Sequence, residues 1–216
     1  MMRLNTAKVI SNRIVASLAA DGFRQVEAAI LTTAIKGDVS GWIGLNLTSD
    51  KELVEVNIVA GVRSESLENC VRDLAGKPIF GVCAPSISIH IGYLMPQHGY
   101  SPWFFDAEST QREINTIGTC VREFALPFMQ KRASLHELSK ALRDPTLSFR
   151  HQAMYRLPAC YLLLADFKTS VAMCAEFLAE LGERRDAAAE HYRCFAEALH
   201  RRVNQQDLQI DTVVRP

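Results

Sequence analysis

The chain has 216 residues, 48% hydrophobic and 22% charged, and its 24 basic side chains balance 24 acidic ones to a formal net charge of zero. A compact fold of this size buries roughly 70% of the surface its unfolded chain exposes, so no disulfide or metal staple is needed. The even balance speaks against a nucleic-acid partner, which selects for a basic surplus, and no apolar run reaches the ~18–20 residues of a membrane span.

Asn5 or Thr6 can cap a first helix running to about Ala20, with Val9, Ile10, Ile14 and Leu18 on one face. Asp21-Gly22 stops it. Val26 to Ile35 is rich in β-branched residues and reads as one strand, closed by the turn Lys36-Gly37-Asp38. The segment from Gly41 to Arg63 reads as two strands. Ile43, Leu45 and Leu47 alternate with Trp42, Gly44, Asn46 and Thr48. After a polar loop, Thr48 to Glu52, the set Val54, Val56, Ile58, Ala60 and Val62 alternates with Glu55, Asn57, Val59 and Gly61. Period-two patterning with one apolar face marks half-buried antiparallel strands. A short helix begins at Ser64 and ends at Gly76-Lys77-Pro78. A strand follows Pro85, with Ile87, Ile89, Ile91 and Tyr93 on one side and Ser86, Ser88, His90 and Gly92 on the other. Tyr100 to Asp106 is an aromatic extended segment, and Pro102 assigns it to a sheet edge.

Beyond residue 107 the pattern turns helical. Ile114, Ile117, Val121, Phe124 and Phe128 trace one stripe, which Pro127 should kink or end. A second helix carries Leu135, Leu138 and Leu142, and three more fill about 148 to 203. The tail from Asn204 has modest β character in Ile210, Val213 and Val214. A strand-rich front followed by a helix-rich back is α+β segregation. The expected fold is an antiparallel sheet of about five strands covered by helices. A sheet domain over 1–146 is followed by a C-terminal helical extension over 147–216 packed on it.

The chain holds no GxGxxG, GxxxxGK[ST], HExxH, GxSxG or EF-hand pattern. Its six cysteines (70, 83, 120, 160, 174 and 194) show no CxxC and no pairing rhythm, and read as reduced thiols of a cytoplasmic protein. His90 and His98 flank one loop, with Cys83 and Asp106 near in sequence. These are zinc-ligand types, but the spacing fits no common site. A thiol nucleophile would pair Cys83 or Cys120 with His90 or His98; Cys120 lies on the apolar stripe, which favours inert packing. No catalytic, cofactor or metal set is therefore assigned.

Tyr100, Trp103, Phe104 and Phe105 form the densest aromatic cluster. They serve either as an interaction hot spot or as packing beneath the following helix. Trp42 lies on the sheet phase opposite Ile43 and Leu45, covered by a helix or open to a partner. Trp42, His90, His98, Tyr100 and Trp103 are the candidate partner-binding residues. The pairs Arg184-Arg185 and Arg201-Arg202, with acidic neighbours, read as solvated helix surface.

Several segments together resemble a bacterial family of uncharacterised α+β proteins, a domain of unknown function. They are Asp21-Gly22-Phe23, the strands Trp42–Leu47 and Val56–Ala60, Ile87–Gly92, Trp103–Phe105 and Ala125–Phe128, spread over about residues 5 to 143. Some proteins that look like this occur beside polymorphic toxins as immunity proteins. The resemblance implies a binder and supplies no catalytic residue. The expected function is a non-enzymatic protein-binding module, in its narrower form an immunity protein that neutralises a secreted bacterial toxin. Two alternatives stand beside it: a hydrolase or transferase with a cleft between the two halves, and an adaptor that binds a peptide or a second copy through its helical half.

Overall fold

The fold is taken from a computed structural model that describes residues 3–50, 53–106 and 110–214, with side chains from 6 to 206. It is α+β, and among the described residues the sheet has six antiparallel strands, ordered β1-β2-β3-β4-β5 with β6 also paired to β4. The chain divides into two compact units, 1–64 with 85–134 and 65–84 with 135–216. The expected boundary at 146/147 lies elsewhere. The helix after the hairpin belongs with the C-terminal helices, because its buried residues find their partners there.

In the first unit, α1 (Arg3–Ala19) precedes β1 (Arg24–Glu27), β2 (Ile30–Lys36), β3 (Val39–Asp50) and β4 (Leu53–Ser64). The expected single strand over Val26–Ile35 is two strands, broken where Glu27 pairs with Ile30 across a tight turn at Ala28-Ala29. The central hairpin is longer than its pattern suggests. Asp50 pairs with Leu53, so the polar residues Thr48 to Asp50 continue the ladder instead of looping. Lys51 and Glu52, the rest of the expected loop, lie outside the described residues.

β4 is long enough to hold two strands along its other edge. Its first half pairs with β6 (Trp103–Phe105) and its second with β5 (Ile87–His90). β5 is shorter than expected: at Ile91–Tyr93 the chain enters a 3-10 turn, capped by the His90 ring accepting from the Gly92 amide. That turn takes Tyr93 off the apolar phase of Ile87, Ile89 and Ile91 and leaves it exposed.

Leu31, Ile43, Leu45, Val56, Ile58 and Val62 are fully buried on one sheet face. α1 and a long helical segment over 110–131 lie against that face. The segment is α3 (Thr110–Cys120), a π turn (Val121–Ala125) and α4 (Leu126–Lys131). Pro127 does not end it. The wide turn shifts the ladder so that Leu126 donates to Val121, and Pro127 falls in the first turn of α4, where no donor is needed.

The second unit contains α2 (Glu65–Ala75), α5 (Leu135–Leu142), α6 (Arg150–Leu163), α7 (Phe167–Leu181) and α8 (Ala187–Val214). Tyr155 centres its aromatic core, with Phe195 at 5.0 Å and Tyr192 at 5.2 Å between ring centroids. α6 carries Pro158 in its interior, and the buried Ser170 hydroxyl donates to the Pro158 carbonyl at 2.8 Å. The tail expected to have β character is the last part of α8. A helix already nucleated adds residues at little cost, and no proline or glycine interrupts 187–214.

Candidate functional site

The alternation that buries Val54, Val56 and Ile58 sends Glu55, Asn57 and Val59 to the opposite face of β4. There Glu55 lies opposite Thr48 on one side and Phe104 on the other, while Asn57 faces Asn46 and Val59 faces His90. On this face Asn46, Thr48 and Phe104 are exposed and Glu55, Asn57 and Val59 half-buried. Two glycines shape one end of it. A side chain on Gly44 would run into the Trp42 ring, and one on Gly61 would meet the Ile87 carbonyl at 2.7 Å and the Trp42 ring at 3.2 Å. The indole lies flat along the glycine track and is only 8% exposed.

The other end holds a polar and aromatic cluster. The Tyr100 hydroxyl and the Asn57 side-chain amide both donate to one Glu55 carboxylate oxygen at 2.9 Å. These two bonds hold the Glu55 carboxyl below its ordinary range, so it is anionic at neutral pH. Desolvation and the adjacent Glu55 raise the Tyr100 phenol, which stays protonated as the donor. The Tyr100 ring lies 4.7 Å from the His90 ring, and Tyr93 meets His90 edge-on at 6.2 Å.

His90 Nδ1 accepts from the Gly92 amide at 3.2 Å. An amide can only donate, so the neutral ring carries its proton on Nε2. That nitrogen is buried and finds no hydrogen-bond partner among the described residues; Asn57 Oδ1 is in the same condition. The loop is tied down tightly. Gly99 donates to the Gly92 carbonyl, and Gly92 in turn presses on the Gly99 carbonyl so closely that no side chain fits there. His98 adopts a left-handed φ of 46° and stays exposed, its Nδ1 3.1 Å from the Tyr93 carbonyl oxygen.

Burial lowers the His90 pKa, so the unfolded chain takes up a proton more readily than the folded one. Stability should fall as pH drops through about 6.5, the ordinary histidine value, and level off once folded His90 is itself protonated. Glu55 acts in a separate, more acidic window, since its folded pKa is also lowered. A melting-temperature series should therefore be steeper for wild type than for His90→Gln below neutral pH. Identical slopes would remove His90 as the cause.

Of the five candidate partner-binding residues, the fold brings His90 and Tyr100 together, with His98 on the adjoining loop. Trp42 and Trp103 are buried, at 8% and 6% exposure. Glu55, Asn57 and Tyr93 complete the cluster without standing out in the sequence, although Glu55 and Asn57 sit on the visible polar phase of β4. Among the described residues no group of three or more His, Cys, Asp or Glu side chains could hold a metal ion, so Cys83, His90, His98 and Asp106 form no such cluster. None of the six cysteines is in a disulfide; Cys120, Cys160 and Cys174 are buried, Cys70 and Cys83 half-buried and Cys194 exposed. Desolvation raises the Cys120 thiol, as expected of an inert one.

The class defined by this geometry is an α+β protein whose antiparallel sheet carries helices on one face and the Glu55–Tyr100–His90 cluster on the other. Compared with protein-family models, curated proteins and solved structures, the chain has no match.

Proposed function

We propose that this chain is a non-catalytic protein-binding module, and that the Tyr100–Glu55 end of the sheet face receives the partner. The observation that carries this reading is an anion flanked by exposed aromatics. Tyr100, 58% exposed, donates to the anionic Glu55, and Phe104, 48% exposed, lies opposite it on β6, while Tyr93, also 48% exposed, meets the neighbouring His90 ring. Aromatic side chains on rigid backbone supply the anchors of binding hot spots. A carboxylate beside aromatic rings suits an arginine or lysine side chain of the partner. The tight Gly92–Gly99 contact favours a preformed face, which lowers the ordering cost of association.

A secreted bacterial toxin as the partner, met in the cytoplasm, is the narrower form of the proposal and rests on the sequence resemblance alone. No helix of the described residues is long and apolar enough to cross a membrane. The hydrolase reading has no observation of this kind behind it.

The test is co-expression with, and pull-down of, toxins encoded beside the gene, using wild type and the double variant Tyr100→Ala/Glu55→Lys. Both positions are accessible, so the variant should melt like wild type while losing protection and complex formation by at least tenfold. Equal binding by the variant sinks the assignment of the face. No complex and no protection with any neighbouring toxin removes the immunity form.

A further inference from the structure

The second unit holds a cavity of about 860 Å³ between α2, the α6–α7 corner and α8. Its size lies within the ~300–1,000 Å³ typical of sites that enclose a small molecule. Leu74, Leu162, Phe167 and Ala198 make part of its wall apolar, and Arg201 and Arg202 of α8 also line it. The Arg201-Arg202 pair, whose sequence pattern reads as solvated helix surface, thus lines a concave site.

The charges there do not cancel. Asp73 also lines the cavity but already meets Arg72, at 3.7 Å. Arg201 and Arg202 make no salt bridge to a side-chain carboxylate among the described residues. Gln206, in the same wall, has a buried side-chain oxygen with no hydrogen-bond partner among those residues. Cys70 adds no negative charge: burial pushes its thiol up to about 11.

We infer that this cavity binds a single-headed anionic amphiphile, its carboxylate or phosphate held by Arg201 and Arg202 and its hydrocarbon body against Leu74, Leu162, Phe167 and Ala198. Guanidinium groups grip either headgroup through paired N–H donors, and the apolar wall removes the chain from water. The site is independent of the sheet face, and no covalent step is involved.

Calorimetric titration with dodecanoate and with dodecyl phosphate, each below its micelle concentration, tests the assignment. Saturable one-to-one binding is expected for at least one of them, and comparing the two identifies the preferred headgroup. Dodecanol and dodecyltrimethylammonium should bind at least tenfold more weakly. Arg201→Gln/Arg202→Gln should weaken the anion at least tenfold, the loss expected when charge-assisted hydrogen bonds are removed. Both side chains are exposed, so this variant should keep the wild-type circular dichroism. Ala198→Trp, which fills the cavity, should abolish binding; if it does not fold, the arginine variant decides alone. Tyr100→Ala/Glu55→Lys should bind the amphiphile as wild type does, which separates failure here from failure of the sheet-face reading. No binding of either anion, equal binding of the neutral or cationic amphiphile, or full binding by the arginine variant overturns the inference.

Discussion

Arg156→Ala should destabilise the second unit by about 3–5 kcal/mol, the cost of breaking a buried ion pair from one side. Arg156 is fully buried and Glu68 is 9% exposed. The guanidinium donates from Nε to one Glu68 oxygen at 2.8 Å and from Nη2 to the other at 3.1 Å. It also lies 4.0 Å from the centre of the Phe80 ring. Alanine would remove the fork and take the bidentate guanidinium away from the buried Glu68 carboxylate. The same pair ties α2 to α6 across 88 residues of sequence. Glu68→Ala should cost a similar amount for the reciprocal reason. The double change Glu68→Leu/Arg156→Met should recover most of the loss, because removing both charges also removes their desolvation cost. Urea unfolding of the three variants checks this. A single-variant loss under about 1 kcal/mol, typical of surface pairs, would contradict it.

Trp103→Ala should cost about 3–5 kcal/mol, the range for emptying a large aromatic site in a core. Trp103 pairs with Val56, which is fully buried, and its β6 neighbour Phe105 is only 1% exposed. α3 lies against β6, so the indole fills the layer between helix and sheet edge. Trp103→Phe keeps most of the volume and should cost clearly less. The intervening Phe104, on the other phase and 48% exposed, should tolerate alanine with little change in melting temperature. Wild-type-like melting of Trp103→Ala would place the ring outside the core.

Much of the sheet is legible because strand period is local. Val54, Val56 and Ile58 against Glu55, Asn57 and Val59 declare two faces without any tertiary knowledge. Boundaries are less legible. Thr48 to Asp50 look like a loop, yet they pair with Leu53 to Glu55 because the partner strand offers its ladder there. At the other extreme, Asn204 onward looks weakly β-forming but continues a helix already propagating from Ala187. The candidate site is half visible. Tyr100 and His90 stand out by type, but the meeting of Tyr100 with His90 and Glu55 depends on a loop folding back through the Gly92–Gly99 contact.

The sequence alone determined the class of fold, the apolar phase of each central strand and the absence of familiar catalytic motifs, since all of these are written at separations of two to seven residues. Only the tertiary structure decided that Glu68 answers Arg156, that the Trp42 ring lies against Gly61, and that Arg201 and Arg202 line a cavity with α2. Those pairings join residues far apart in the chain, and their energies depend on burial, which no local pattern encodes.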